Sequence, residues 1–524
     1  MLDHFPFYLI LVIAIVLLIM LANKIKVAYP ILLIVAGLLM GFIPGIPILH
    51  IEPELIFIIF LPPLLYEAAW KISLKELWRW RRIIMSFAFV VVFLTALSVA
   101  FVANYFIPGF SFALGLLLGG IVSPPDAVSA GAILKFVKVP RTVSSILEGE
   151  SLLNDASSLI IFRFALIAVA TGQFIWYEAA ISFSWMVIGG VGIGLFIGLV
   201  FMKLHKYLPT DANMDIVLSI VAPYLMYIIA EEAHSSGVLA VVSGGLYLSR
   251  QQHFFLSSTS RVRGFNVWES FCFILNGLVF VLIGLAMPEI VAGLGNVSIA
   301  AAISYGVLIT AVLIVGRILS AYGAVIVTLI ARNFITVADR NNPGLKGPLI
   351  IGWSGMRGVV SLAAALSIPV MQAENTPFPQ RNLILFITFT VIFLTLLLQG
   401  LTLPFLIRKL DIATPHDATT DEETDRQITR ELASFTLQHL KTKYHQELKA
   451  QSMLQRMANK WEDSSLATEE PLLNTESRAV YRELINDQRQ WLIQKNKSER
   501  SLDEAIIRKH LHRLDMEEEK LRLM

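Results

Sequence analysis

Cysteine is almost absent from this chain, and charged residues are scarce. The 524 residues include one cysteine, Cys272, which excludes an internal disulfide framework and forms no metal site by itself. Charged residues make up 16% of the chain and hydrophobic residues 56%. Apolar runs of about 20 residues, the length needed to cross a bilayer as a helix, recur along it. The sequence therefore predicts an all-α, polytopic membrane protein.

Several functional motifs are also missing from the sequence. There is no GxGxxG or P-loop motif in the polar C-terminal part that would indicate nucleotide binding. No metal-binding histidine cluster and no Ser–His or Ser–Lys arrangement supports an intramembrane enzyme. The first apolar run, residues 7–21, follows Asp3 and His4 rather than a basic segment, which favours a retained span over a signal peptide. We expect no enzymatic activity, no cofactor and no nucleic-acid partner.

Thirteen apolar segments predict thirteen transmembrane helices. Their approximate bounds are residues 7–22, 27–42, 54–70, 83–106, 111–134, 146–170, 181–202, 214–231, 236–249, 265–288, 298–331, 348–370 and 382–407. We expect the polypeptide to divide into a transmembrane domain, residues 1–410, and a tail, residues 411–524.

Lysine and arginine are concentrated in alternate connections between these spans. One side of the membrane has Lys24, Lys26, Lys71, Lys75, Arg79, Arg81, Arg82, Lys135, Lys138, Arg141, Lys203, Lys206, Arg250, Arg261, Arg263, Arg332, Arg340 and Lys346. The other side has Arg381 alone. The positive-inside rule makes the basic side cytoplasmic, which places the N-terminus outside and the C-terminus inside the plasma (inner) membrane.

The composition changes abruptly after Arg408. Apolar residues at helical spacing within 426–450, 472–493 and 501–523 predict a cytoplasmic tail of amphipathic helices. The acidic segment 417–425 has the composition of a linker into it. The sequence leaves open whether the tail is an appendage that packs on itself or on a second copy, or a dedicated regulatory domain.

Few ionisable residues lie within the predicted spans, and the cost of placing each one in a bilayer indicates a function. Away from the outermost residues of the spans they are Glu67, Asp126, Glu150, Asp155, Arg163, Arg317 and Arg357, with Glu269 nearer to a span end. The sequence assigns no role to Arg163.

The segment "ESLLNDASSL", residues 150–159, has a polar stripe on one helical face. Its members are Ser151, Asn154, Asp155 and Ser158, spaced i, i+3, i+4 and i+7. Such a stripe faces protein or water rather than lipid. Serine and asparagine alone would be typical of a polar helix–helix contact, but the carboxylate favours a transport site.

The preceding span contains "SPPDAVSA", residues 123–130. Pro124 and Pro125 have no N–H groups, so the carbonyls of Gly120 and Ile121 lose their helical partners. We expect the helix to break or kink beside Asp126. Broken helices of this kind form cation sites in secondary transporters, although a plain proline kink is the alternative.

A later span is interrupted in a similar way. In "GWSGMRGVVSLAAALSIP", residues 352–369, three glycines and Arg357 break the apolar run. Interrupted helices at corresponding positions of two halves indicate a transporter with inverted repeats, here with the seventh span as the link. Arg357 is expected to stabilise the broken helix ends or the empty acidic site, or to act only in packing.

Five segments in this order resemble motifs of the sodium/proton exchangers of the cation:proton antiporter-1 family, in its bacterial branch. They are "LPPLLYEAAW" (61–70), "SPPDAVSA" (123–130), "ESLLNDASSL" (150–159), "NGLVFVLIGL" (276–285) and "SGMRGVVSLAAALSIP" (354–369). The resemblance covers approximately residues 5–410. It implies a homodimer of thirteen-span protomers, each with two crossed, broken helices in a core domain and a separate dimerisation domain.

The resemblance also implies roles for individual residues. Asp155 would bind the cation and the proton, and Asn154 beside it is similar to the motif of electroneutral exchangers. Asp126 at the crossing, Ser151 and Glu67 would help to coordinate the transported Na⁺.

Two further features follow from the same comparison. Glu150 would form a structural ion pair with Arg317 on another span. Many relatives have Thr-Asp-Pro where this chain has Pro125-Asp126-Ala127, so the Pro125 carbonyl is the group left to serve at that position.

The expected function is secondary, electroneutral antiport of Na⁺, or of Li⁺ or K⁺, against H⁺ by alternating access. A carboxylate in a low-dielectric site makes proton and cation compete for the same group. A K⁺/H⁺ antiporter is one alternative and a cation channel with a continuous pore is another.

Overall fold

The computed structural model describes residues 5–43, 53–134, 137, 139, 141–172, 176–295, 297–333, 344–371, 376–410, 421–462, 475–499 and 502–523. In these ranges regular structure is entirely helical apart from an isolated bridge between Met371 and Pro377. The predicted all-α class is therefore confirmed. Of the basic residues used for the predicted orientation, Lys135, Lys138 and Arg340 lie outside the described residues.

The first part of the chain forms eleven α-helices and one π-helical turn. They are α1 (Phe5–Ile25), α2 (Tyr29–Gly41), α3 (Pro53–Lys71), α4 (Leu74–Arg79), α5 (Arg81–Met85), the π-helical turn Ser86–Val91, α6 (Val92–Phe106), α7 (Phe112–Val122), α8 (Ala127–Leu134), α9 (Arg141–Thr171), α10 (Trp176–Tyr207) and α11 (Ala212–Glu232).

Twelve further helices follow. They are α12 (Gly237–Phe255), α13 (Ser258–Leu285), α14 (Met287–Ala292), α15 (Ile299–Ala331), α16 (Lys346–Trp353), α17 (Val359–Leu366), α18 (Arg381–Leu410), α19 (Asp421–Lys443), α20 (His445–Ala450), α21 (Ser452–Glu462), α22 (Thr475–Ser498) and α23 (Glu504–Leu523).

Eight helical segments of the described ranges are long and apolar enough to cross a membrane. They are Pro6–Ile25, Arg81–Phe106, Thr142–Thr171, Ala180–Tyr207, Ala212–Glu232, Ser258–Ala292, Ile299–Ala331 and Arg381–Leu410. The five other predicted spans coincide with α2, α3, the pair α7–α8, α12 and the pair α16–α17. The chain is a multi-pass membrane protein, and the count of thirteen stays a prediction.

Helix α18 lies at the centre of the apolar core. In its most apolar window 78% of the residues are buried, against 22% in α1. It packs on α2, α7, α8 and α14 to α17. Apolar residues on α1, α10 and α15 are instead exposed, as expected for helices that face lipid.

Helix α7 packs against α6 at very short range, and two glycines allow this. A Cβ atom at Gly115 would lie 2.7 Å from the Ala100 carbonyl oxygen, and one at Gly119 would lie 2.8 Å from the Ala96 Cα. Small residues spaced four apart are a common device for close helix packing in membranes. This contact fixes the position of α7, the first half of an interrupted helix.

The chain divides into two compact units. The first consists of residues 1–208, 217–252 and 267–412, and the second of residues 209–216, 253–266 and 413–524. The second unit thus joins the tail with two short segments from the connections of the transmembrane part. The predicted division at residues 410 and 411 stays a prediction.

The second unit has its own apolar core, which confirms the predicted helical tail. Its larger cluster consists of Ile428, Ile485, Leu492, Ile506, Ile507, Leu511, Leu514 and Leu521. Beside it Asp515 accepts hydrogen bonds from Arg261 and Arg489, and all three side chains are buried. The acidic segment predicted as a linker lies outside the described residues up to 420, and its remainder begins α19.

Candidate functional site

The expected break beside Asp126 is present in the structure. Helix α7 ends at Val122 and α8 begins at Ala127, so that Pro124 and Pro125 lie in the gap. In an unbroken helix the Asp126 N–H would donate to the Val122 carbonyl. It donates instead to the carbonyl of Met356, at 2.7 Å.

The second interruption lies opposite the first. Helix α16 ends at Trp353 and α17 begins at Val359. Met356, in the gap, accepts the Asp126 N–H described above, so the two gaps cross at a backbone hydrogen bond. The two interrupted helices of the predicted fold are thereby found in contact.

Arg357 links the two gaps and is almost fully buried. Its Nε donates to the Val122 carbonyl at 2.8 Å and its Nη2 to the Ser123 carbonyl at 3.2 Å, while its Nη1 donates to Gly355 in its own gap. The sequence argument pointed to freed carbonyls at Gly120 and Ile121. The carbonyls that Arg357 contacts are two residues further along, and that of Val122 is available because the Asp126 N–H donates to Met356.

Gly358 allows Asp126 to approach the second gap. A Cβ atom added at Gly358 would lie 2.5 Å from Asp126 Cγ and 2.8 Å from Asp126 Cβ. Such distances are far inside van der Waals contact, so any other residue at this position would displace the carboxylate. From the sequence, Gly358 was predicted to interrupt the helix, but its close approach to Asp126 was not predicted.

The Asp126 carboxylate also caps helix α8. Its Oδ2 accepts hydrogen bonds from the Ser129 N–H at 3.2 Å and from the Ser129 hydroxyl at 2.5 Å. Sequence reasoning missed Ser129, although an aspartate directly before a helix start is the signal for an N-cap that accepts from the N–H three residues later.

Helix α9 presents Asn154 and Asp155 to the crossing. Both side chains are buried, and the Asn154 Nδ2 donates to the Pro125 carbonyl at 3.0 Å. The Asn154 amide thus donates a hydrogen bond to the Pro125 carbonyl, which the family resemblance suggested as a cation ligand. Asp155 lies within electrostatic range of Asp126, so the structure brings the two carboxylates together.

Asp155 differs from the other membrane carboxylates in its partners. Glu150 and Glu67 each contact a basic side chain, and Asp126 caps α8. Asp155 has no basic side chain within salt-bridge distance among the described residues. Ser158 and Ser157, on the same helix, donate to carbonyls of α9 and do not neutralise it.

Glu150 and Arg317 form a two-point ion pair inside the bundle. The Arg317 Nη2 donates to Glu150 Oε2 at 2.7 Å, and Nη1 donates to Oε1. Both side chains are buried, and the guanidinium carbon lies 5.3 Å from the centre of the Phe87 ring. The pair lies beside the second gap, since a Cβ atom at Gly355 would be 3.2 Å from Arg317.

Two further predicted site residues, Ser151 and Glu67, lie on α9 and α3. Ser151 is half-buried on α9, and Glu67 is half-buried on α3, where it pairs with Lys71 one turn later. Tyr29, which sequence reasoning missed, lies within electrostatic range of Asp126 and Glu67. No pattern around the start of α2 would have indicated this tyrosine.

The fold and this crossing are typical of a secondary transporter of ions. A model of the family described as sodium/hydrogen exchanger, transmembrane, matches residues 10–409. The chain belongs to this family of sodium/hydrogen exchangers, which consists of secondary transporters and not of enzymes.

Two curated relatives are each named a sodium, potassium, lithium and rubidium/H⁺ antiporter. The chain is 31% identical to the one from Bacillus pumilus over 88% of its own length and 34% identical to the one from Bacillus subtilis over 72%. The matches span 65% and 57%, respectively, of these longer relatives.

A solved structure has the same fold. The sodium proton antiporter MjNhaP1 from Methanocaldococcus jannaschii matches with a TM-score of 0.61 at 18% identity. The match covers 78% of this chain and 99% of that one.

Proposed function

We propose that the protein exchanges a monovalent cation for H⁺ by alternating access, with Asp155 as the group that both substrates neutralise. The observation that carries the proposal is the burial of Asp155 beside Asp126, without a basic partner among the described residues. A buried carboxylate without a counter-charge is costly as an anion. Binding either a proton or a cation removes that cost, so the two compete for one site.

Obligatory exchange follows if only the neutralised site crosses the membrane. The charged, empty site would carry an unpaired carboxylate through the low-dielectric interior, which is strongly disfavoured. A site loaded with Na⁺ or H⁺ avoids this penalty. One substrate must then return for each one exported, and no ATP is required.

The ligands of this site are hard oxygens. Asp155, Asp126 and Ser151 are the proposed protein ligands, with Glu67 nearby and water completing the coordination. The Pro125 carbonyl accepts from Asn154 through one lone pair, and its second lone pair is left for the cation. Oxygen ligands suit Na⁺ and Li⁺ but do not exclude K⁺, and the names of the two Bacillus relatives include all three cations.

Cation-driven proton flux tests the function directly. When Na⁺, Li⁺ or K⁺ is added outside in separate experiments, proteoliposomes that contain purified protein and a pH-sensitive dye should become alkaline inside, because the cation enters as H⁺ leaves. We expect Na⁺ and Li⁺ to be active. Proton movement that requires no cation, or a persistent conductance of single-channel size, would favour the channel alternative.

The stoichiometry is proposed to be electroneutral. Asn154 donates a hydrogen bond to the Pro125 carbonyl but cannot titrate in the physiological range. Asp155 therefore binds one cation for transport in one direction and one proton for transport in the other. Clamping the membrane potential with K⁺ and valinomycin should leave Na⁺-driven proton flux unchanged, once K⁺ is shown not to be a substrate. A flux that varies systematically with the imposed potential would require a second titrating carboxylate, Asp126 or Glu67.

The remaining expectations belong to the same proposal. We propose a homodimer in the plasma (inner) membrane with the N-terminus outside and the C-terminus in the cytoplasm. The support is the distribution of Lys and Arg between the connections and the membership of the exchanger family.

A further inference from the structure

Arg163 forms an ion pair that is separate from the site at the crossing. It lies on α9, eight residues beyond Asp155, which is about 12 Å along the helix at 1.5 Å per residue. Its Nη2 contacts Oε2 of Glu231 near the end of α11. In the proposed orientation this is the extracellular side of Asp155.

Glu231 is held within a corner made by α10, α11 and α12. Its Oε1 accepts the N–H of Gly237 at the start of α12, at 3.0 Å. The Ser236 N–H donates to the Met186 carbonyl of α10 at 3.2 Å, and the Trp185 indole donates to the Ala233 carbonyl at 3.1 Å. This corner is therefore tied together by its own hydrogen bonds.

Helix α9 packs mainly against helices outside this corner. Its main neighbours are α7, the π-helical turn, α5 and α6, and it has smaller contacts with α3, α4, α8, α16 and α17 and, within the corner, with α10. Four of these neighbours, α7, α8, α16 and α17, flank the two gaps. The Arg163–Glu231 pair thus connects the helices of the crossing with the α10–α11–α12 corner.

The exposure of this pair differs from that of Glu150–Arg317. The side chains of Arg163 and Glu231 are 34% and 27% exposed, against 3% and 0% for Arg317 and Glu150. Water can therefore replace each partner of the exposed pair when it separates, which keeps separation reversible. The buried pair has no such replacement, so it is suited to a permanent contact.

We propose that the Arg163–Glu231 ion pair closes the extracellular side of the site while Asp155 is accessible from the cytoplasm, and separates when the site opens outward. The proposal rests on the proposed exchange by alternating access. It makes Arg163 and Glu231 positioning residues that act on the equilibrium between the two orientations and do not touch the cation. Arg163 lies about 12 Å from Asp155 along α9 and has no acceptor atom for a cation, and Glu231 is paired with Arg163.

Reversible cross-linking tests whether the pair must separate. In a parent with Cys272→Ala, the double variant Arg163→Cys and Glu231→Cys is joined by a bifunctional thiosulfonate whose length matches the original side-chain pair. We expect cation-driven proton flux to fall about tenfold on cross-linking and to return on reduction. Full flux through the cross-linked protein would overturn the proposal.

A matched cross-link inside the corner serves as the control. Trp185→Cys with Ala233→Cys joins α10 to the α11–α12 turn, where the proposal requires no relative movement. Flux should then remain similar with and without the cross-linker. Because the Cys272→Ala parent is assayed first, the absence of exchange there would count against the proposed function and not against the closing contact.

Thiol accessibility gives a second readout that does not depend on transport. Leu159 lies between Asp155 and Arg163 on α9 and is half-buried. In right-side-out vesicles, Arg163→Gln should increase labelling of Leu159→Cys by an impermeant thiol reagent several-fold, because the outward-open state gains population. Unchanged labelling, with the variant folded and inserted, would show that the pair does not close this side.

Discussion

Asp155→Asn is expected to abolish cation-driven proton flux while the protein still folds and inserts. The amide has nearly the shape of the carboxylate but exchanges no proton in the physiological range and attracts a cation far less. The variant also removes a buried charge that has no basic partner among the described residues, so no ion pair is broken. Its thermal stability should therefore equal or exceed that of the parent.

The measurement is dye-monitored flux in proteoliposomes with equal amounts of parent and variant protein. Glu148→Gln is the matched control, because it removes one negative charge from the same helix at an exposed position two turns away. We expect the control to transport normally. Normal exchange by Asp155→Asn would refute its assignment as the shared binding group.

The local backbone chemistry of the crossing was predictable from the sequence. Two prolines beside Asp126 remove helical hydrogen bonds and three glycines around Arg357 weaken the helix, and both helices break there. The polar stripe on α9 was equally visible, because it depends only on helical period. These features require no knowledge of which distant residues meet.

The contacts across the crossing were not predictable in the same way. The hydrogen bond from Asp126 to Met356 and the space left by Gly358 join segments more than two hundred residues apart. No local sequence pattern indicates which residues at such a separation come into contact. The pairing of Glu67 with Lys71 is an exception, because their i,i+4 spacing on one helix predicts it.

The partner of Arg163 could not be predicted from the sequence either. A lone arginine within an apolar helix indicates a partner without identifying it. Glu231 lies near the end of a helix that the sequence assigned to another predicted span, and only the structure brings the two side chains together. The proposed closing contact therefore could not be stated from the sequence.

Removing either partner of the Glu150–Arg317 pair is expected to have the largest effect on stability. Both side chains are buried, so Glu150→Ala leaves an unpaired guanidinium and Arg317→Ala leaves an unpaired carboxylate. The cost of such a change is about 3–5 kcal/mol. Each single variant should unfold at a clearly lower temperature than the parent in detergent, as measured by the loss of monodisperse protein on heating.

The charge swap Glu150→Arg with Arg317→Glu separates pairing from the other contacts of each residue. The swap restores opposite charges at the same two positions but loses the stacking of Arg317 on Phe87, so we expect partial recovery. Lys443→Ala, in the exposed pair Lys443–Glu483 of the tail, is the control and should unfold near the parent temperature. Single variants as stable as the parent would show that the pair does not hold α9 to α15. A swap no better than either single variant would show that the geometry around Phe87 and Gly355, and not the opposite charge alone, determines the contact.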